Sequence, residues 1–240
     1  MKDFIDFTNL PKHIAIIIDG SGRWAQKKHI SRLVGHHYAL NNIIDILNSC
    51  IDLGVFYLTF YVFSKENWNR PKNEVFGLMY LFINTLKFEL NKILKGNVKI
   101  IFIGDLKELS NICRREIFKA SKLSKSNNKF NLIIAINYSG RWDIVSAVKS
   151  ILKDLKSKNI KYKDINDLFF QNYLSTKDIP DPELLIRTSG EIRLSNFFLW
   201  QIAYTEIFIS NLLWPYFKKK DFYNAIVNYQ KRNRKFGSLI

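Results

Sequence analysis

His13-Ile14-Ala15-Ile16-Ile17-Ile18-Asp19-Gly20-Ser21-Gly22-Arg23-Trp24-Ala25 decides how the rest of the chain is read. The β-branched run His13 to Ile18 enters an Asp-Gly-Ser-Gly turn, the pattern of a buried strand feeding a helix. Downstream, Leu40, Ile43, Ile44, Leu47 and Ile51 share one helical face, Gly54 stops that helix, and the apolar run Phe56 to Phe63 follows. Together these make a βαβ unit. Val98 to Ile103, Leu132 to Asn137, Leu184 to Arg187 and Ile207 to Ser210 are the further strand candidates, with helical patterns between most of them. Such alternation predicts an α/β fold, a mainly parallel sheet with helices on both faces. No shift in composition marks a linker, so residues 1–240 read as a single domain, with 1–12 an N-terminal extension and 218–240 a basic C-terminal helix and tail.

Apolar residues make up 47% of the chain and aromatics 15%, which supports a sizeable core and excludes a disordered protein. No apolar run is long enough to cross a bilayer, and Met1-Lys2-Asp3-Phe4 lacks the pattern of a signal peptide, so a cytoplasmic location is expected. Cys50 and Cys113 have no metal-ligating neighbours at a useful spacing and read as plain thiols. The net charge of +16 calls for anionic company: nucleic acid, lipid headgroups or phosphorylated small molecules. Lysines such as those in Lys149 to Lys163 and Lys218 to Lys220 read as solvated faces.

In parallel sheets ligands bind beyond the carboxyl ends of the strands, where Asp19, Ser64, Asn67, Asn137 and Arg187 fall. Gly20-Ser21-Gly22-Arg23-Trp24-Ala25 fits a dinucleotide fingerprint only loosely: Arg23 and Trp24 are bulky, and no ribose-binding acid ends the second strand. What remains is a glycine turn able to present backbone N–H groups to a phosphate. Asp19 would repel that phosphate unless a cation lay between them. Magnesium accepts one or two carboxylates plus phosphate oxygens, although a helix-capping role for Asp19 is the plainer alternative. Arg23, Arg32 and His36 are spaced to approach the same anion. Arg187 and Arg193 flank a second turn ahead of Ser195, and the planar fork of arginine suits phosphate oxygens. The helical stretch Glu74 to Leu94 carries large apolar side chains all round. It reads either as a central core or dimer-interface helix or as one that also lines an apolar cavity.

From His13 to Gly237 the sequence resembles the cis-prenyltransferase family. The resemblance rests on His13 to Ala25, on Thr59 to Pro71 around Phe63-Ser64-Lys65-Glu66-Asn67-Trp68, and on Asn137-Tyr138-Ser139-Gly140-Arg141. It continues through Asp181-Pro182-Glu183-Leu184-Leu185-Ile186-Arg187-Thr188-Ser189-Gly190-Glu191, Arg193-Leu194-Ser195-Asn196-Phe197 and Trp200-Gln201. The resemblance implies a six-stranded parallel sheet, a homodimer and a hydrophobic tunnel. It implies a transferase that adds isopentenyl diphosphate units in cis to an allylic diphosphate such as farnesyl diphosphate. The product would be a long polyprenyl diphosphate, a lipid-carrier precursor for cell-wall synthesis. By the family's pattern Asp19 is the catalytic aspartate working with Mg2+, and Glu206 a second metal-associated acid. Gly20, Ser21, Gly22, Arg23, Trp24, Arg32 and His36 would hold the allylic diphosphate. Arg187, Arg193, Leu194 and Ser195 would hold isopentenyl diphosphate. Ser64, Lys65, Glu66, Asn67, Trp68 and Arg70 match a flexible substrate loop in which Asn67 is the proton acceptor. An amide is a poor base in water, so its chemistry favours orientation, with a diphosphate oxygen taking the proton.

The chain departs from the pattern at Ser21, where the family carries asparagine, and at Lys235, where it carries arginine. Two other functions compete: a non-catalytic partner subunit of the same fold, and a basic nucleic-acid-binding protein. Retention of Asp19, Arg23, Asn67, Arg187 and Arg193 opposes the first, and the lack of any recognised binding motif opposes the second, so no nucleic acid is expected. Peripheral contact with the inner face of the membrane would suit release of so apolar a product.

Overall fold

A computed structural model describes residues 2–234; Lys235 and Gly237 lie outside them. Strands β1 (His13–Ile17), β2 (Tyr57–Ser64), β3 (Val98–Ile103), β4 (Phe130–Tyr138), β5 (Leu184–Arg187) and β6 (Glu206–Ile209) form one sheet in the order β3-β4-β2-β1-β5-β6. Every pairing is parallel. The β-branched run at His13 is buried along its whole length because β1 lies between β2 and β5 with layers on both faces. The strands fall on the expected apolar runs with small shifts: β1 ends one residue early, β2 runs one residue later at both ends, β4 is longer at both ends, and β6 runs one residue earlier, opening on Glu206.

The helices are α1 (Ser21–Lys27), α2 (Arg32–Leu53), α3 (Lys72–Lys95), α4 (Asn111–Leu123), α5 (Gly140–Lys156), α6 (Asp167–Gln171) and α7 (Lys219–Gln230). Ser31 caps α2 by accepting from Val34 N, and Gly54, at φ 87°, ends it in the left-handed conformation anticipated for a glycine stop. On one face of the sheet Ile14, Ile16, Leu58 and Phe60 pack with Ile46, Leu47 and Cys50 of α2 and Phe222 and Ile226 of α7. The other face buries Ala15, Ile17, Tyr138, Phe197 and Phe198. A third cluster, around Phe63, Phe82, Leu86, Cys113 and Ile117, joins α3 and α4 to the ends of β2 and β4. Cys50 and Cys113 are both buried and unbonded, as plain thiols would be.

The strand order places the site. The chain leaves β1 toward β2 on one side and leaves β5 toward β6 on the other, so a crevice opens where these neighbouring strands end. Asp19 follows β1 and Arg187 ends β5 at that crevice.

Candidate active site

The Asp19 carboxylate sits between two guanidinium groups: Arg187 Nη2 donates to Oδ2 at 2.8 Å and Arg23 Nη2 to Oδ1 at 3.2 Å. Its backbone is fixed by Thr188, whose hydroxyl donates to the Asp19 carbonyl at 2.8 Å. Burial alone would raise the acid's pKa, but Arg187 and Arg23 outweigh it and hold the group below the usual carboxylate range. Asp19 is therefore an anion fixed beyond the carboxyl end of a central strand, and its side chain does not cap α1, whose N-cap is Gly20.

Two further acids are bracketed in the same way. Glu191 accepts from Arg23 Nη1 at 2.6 Å and also binds Arg193, while Glu74 lies 3.2 Å from Arg32 Nε and 3.1 Å from Arg70 Nη1. Five arginines thus share three carboxylates, Asp19, Glu191 and Glu74, leaving two positive charges in excess. An anion of high charge entering here meets guanidinium groups already oriented by their acid partners. The arginines were legible in the sequence. Glu74 and Glu191 were missed as site residues because an acid's neighbours across the fold leave no mark in local spacing.

Several buried polar atoms have no partner among the described residues: His36 Nε2 and Arg187 Nε on residues that line the cavity, and Ser21 Oγ and Trp24 Nε1 on α1. Burial, with Arg70 and Arg32 adding to it against Glu74, pushes the His36 imidazole down to about 4, so His36 is neutral at physiological pH. Orphaned buried donors in a cationic crevice point to an anionic ligand that completes them. Gly20 takes φ 101°, a conformation that disfavours any side chain, and turns the chain from β1 into α1. At Gly35 on α2, a Cβ would stand 2.5 Å from the Ser21 carbonyl oxygen and 2.8 Å from Ala25 Cβ. The bare α-carbon is what lets α1, carrying Arg23, seat against α2, carrying Arg32 and His36.

Ser64 to Arg70 forms a tight 3-10 turn after β2. Ser64 N donates to Asn67 Oδ1 at 3.1 Å, and Trp68 Nε1 donates to Asn137 Oδ1 at 2.7 Å. The Asn67 amide oxygen is engaged within its own turn, which suits orientation better than proton abstraction. Lys65 points away from the crevice: its ammonium is held by Asp105 at 2.9 Å and Glu108 at 2.6 Å. Leu194, partly buried, packs against the second core.

Below the polar rim lies a cavity of about 370 Å³, bounded at its mouth by Asp19, His36, Asn67, Arg70, Arg187, Arg193 and Ser195. Its depths are apolar: Ile43, Ile44 and Leu47 of α2, Phe60 and Leu132 of the sheet, and Leu78, Phe82 and Leu86 of α3. Of the two readings of α3, the cavity-lining one holds. Phe76, 73% exposed, faces solvent instead, as do Tyr80 and Phe88.

Glu206 does not join Asp19 within this chain. It opens β6 beside Leu184, three residues along the strand from the level of Arg187, and its carboxylate is held by Arg232 at 2.7 Å. That separation is roughly 10 Å along a strand. Asp19 is the one carboxylate among the described residues lining the cavity, and no cluster of three or more potential protein ligands exists among them. Such a donor set cannot cage a metal alone. It fits a magnesium ion that takes most of its ligands from phosphate oxygens and water.

Residues 17–237 match the family model described as "Putative undecaprenyl diphosphate synthase". An isoprenyl transferase of Clostridium tetani is 46% identical over 98% of this chain and 92% of its own length. A (2E,6E)-farnesyl-diphosphate-specific ditrans,polycis-undecaprenyl-diphosphate synthase of Pasteurella multocida is 46% identical over 97% of each chain. Among solved structures, lavandulyl diphosphate synthase from Lavandula x intermedia, in complex with dimethylallyl diphosphate, superposes with a TM-score of 0.93 at 35% identity, covering 95% of this chain and 99% of its own.

Proposed function

The chain belongs to the undecaprenyl diphosphate synthase family of cis-prenyltransferases, and we propose that it extends farnesyl diphosphate with isopentenyl diphosphate to a long polyprenyl diphosphate. The observation that carries this reading is the junction of an arginine-rich crevice with an apolar cavity: one suits diphosphates, the other a growing hydrocarbon.

The family uses a divalent metal; in this chain Asp19, together with diphosphate oxygens, would hold a magnesium ion. When bound it neutralises charge on the departing pyrophosphate. The allylic C–O bond breaks with its electron pair leaving on pyrophosphate. The alkene of isopentenyl diphosphate supplies the electrons of the new C–C bond, and a proton is then lost to a diphosphate oxygen. Arg23, Arg32, Arg70 and His36 hold the allylic diphosphate against the Gly20–Gly22 turn, with Trp24 and Ser21 behind it. Arg187, Arg193 and Ser195 hold isopentenyl diphosphate. Asn67 orients rather than accepts the proton, because its oxygen is committed to Ser64 N. Nonpolar burial at about 0.8 kcal/mol per methylene retains the chain between additions.

The assembly expected is a homodimer. Val145, Val148 and Leu152 lie exposed on one face of α5 and would be covered by a second copy. No helix among the described residues is long and apolar enough to cross a membrane; release of product at a membrane face calls for peripheral contact only. Incubation with farnesyl diphosphate, labelled isopentenyl diphosphate and magnesium, followed by sizing of the extracted lipid, tests the reading. A ladder ending in long products is expected. No incorporation would favour the non-catalytic subunit, and retention of DNA on a filter at physiological salt would favour the nucleic-acid binder.

A further inference from the structure

Asn196 ties together segments that the reaction requires at fixed separation. It adopts φ 60°, a left-handed conformation that asparagine tolerates better than most residues. Its two amide hydrogens are used in different directions: Nδ2 donates to Glu66 Oε1 at 2.6 Å and to Ser139 Oγ at 2.6 Å. Its Oδ1 accepts from Arg141 N at 2.9 Å, and its backbone carbonyl accepts from Gly140 N at 2.6 Å. The side chain therefore joins the turn holding Asn67, the start of α5, and the segment in which Ser195 receives Arg187 Nη1 at 2.8 Å.

The 64–70 turn has other anchors, including Arg70 on Glu74 at 3.1 Å, but none of them reaches the Arg193–Ser195 turn. Lys65 reaches Asp105 and Glu108, and Trp68 reaches Asn137. The Glu66–Asn196 bond reaches the neighbour of Ser195, and Asn67 and Ser195 both line the mouth of the cavity. We infer that Asn196 is a positioning residue, a latch that sets the distance between the Asn67 turn and the Arg193–Ser195 turn and thereby the affinity for isopentenyl diphosphate. The inference rests on the condensation reading for its substrate but not for its geometry.

The donor pattern allows a test by inversion. Asn196→Asp keeps the left-handed tolerance and the acceptor for Arg141 N, and the Ser139 hydroxyl can turn to donate to the new carboxylate. What it loses is the donor to Glu66, and it sets two carboxylates face to face. Adding Glu66→Gln supplies a donor from the opposite side and restores the bond with reversed polarity. Hydrogen exchange of the 65–69 amides should quicken in Asn196→Asp and slow again in the double variant. The KM for isopentenyl diphosphate should rise at least about tenfold in Asn196→Asp, with that for farnesyl diphosphate moving less than about twofold, and return most of the way in the double variant. Unchanged exchange and KM in a folded Asn196→Asp, or a double variant no better than the single one, would overturn the latch. Failure of the native protein to incorporate isopentenyl diphosphate would overturn the condensation reading, with exchange still deciding the latch.

Discussion

Arg187 Nη2 meets Asp19 Oδ2 at 2.8 Å across the ends of adjacent parallel strands, although 168 residues separate them in the chain. Arg187 is almost wholly buried, so its charge is screened little by solvent and its pairing holds the acid ionised and in place. The crevice carries its electrostatic order before any ligand arrives, which is the condition under which charge stabilisation acts without reorganisation.

Asp19→Ala should lower turnover by at least about a hundredfold, roughly 2.7 kcal/mol of transition-state stabilisation. The fold should survive at a cost in stability, since Arg187 loses the partner of its buried charge but keeps its bond to Ser195 and the hydrophobic cores are untouched. Incorporation of labelled isopentenyl diphosphate, set beside circular dichroism, checks both halves; a folded variant with near-normal turnover removes Asp19 from the chemistry.

Phe82 and Leu86 line the cavity from α3, whereas Phe76 points to solvent. Phe82→Ala or Leu86→Ala should change the distribution of product lengths, and Phe76→Ala should leave it unaltered. The two buried truncations also open the third core, at a cost of about 2 to 5 kcal/mol in stability. Chromatographic sizing of products, at a temperature where each variant stays folded by thermal melt, separates the two effects. Unchanged lengths in both buried variants would place the limiting wall elsewhere.

Ser21 is buried and its hydroxyl has no partner among the described residues. A serine has less reach than the asparagine of the family pattern, and one bond to a charged group is worth about 1.5 to 3 kcal/mol. The native chain should therefore elongate measurably and Ser21→Asn should turn over as fast or faster. Activity confined to Ser21→Asn would identify the native chain as a binding subunit.

His13 Nδ1 donates to the Pro180 carbonyl at 2.6 Å and its Nε2 accepts from the Thr59 hydroxyl at 2.7 Å. Burial, opposed by the bond to Pro180, pushes the ring down to about 4 from an ordinary 6.5. Between those values the unfolded chain binds a proton that the folded chain refuses, so stability falls as pH drops through this window and levels off below it. The contribution is on the order of 3 kcal/mol. Urea unfolding between pH 7 and pH 4 should show that slope and show it reduced in His13→Gln; an identical slope in the variant would locate the acid sensitivity elsewhere.

The strands and most of the arginine-bearing turns were legible because they are written locally. A β-branched run ending at Asp19, a glycine stop at Gly54 and an apolar run ending at Ser64 each carry their own signal. Facing direction was harder: α3 is apolar nearly all round, and nothing in its period says that Phe82 lines a cavity while Phe76 meets water. The surroundings of Glu206 were illegible for a related reason, since its neighbour Arg232 is supplied by the chain's far end. Glu74, Glu191 and Asn196 act through partners brought together by folding alone.

The contact of Gly35 with the Ser21 carbonyl and Ala25 bears on how freely the protein can evolve. Every alternative residue brings a Cβ against main chain that cannot step aside, so any substitution there pries the helix bearing Arg23 from the helix bearing Arg32 and His36. The cavity's apolar floor, by contrast, can be reshaped one side chain at a time. Product length is thus open to drift while the diphosphate cradle is not, and an inhibitor pressed against the seam between these helices would meet a target in which resistance at position 35 brings loss of the cradle itself.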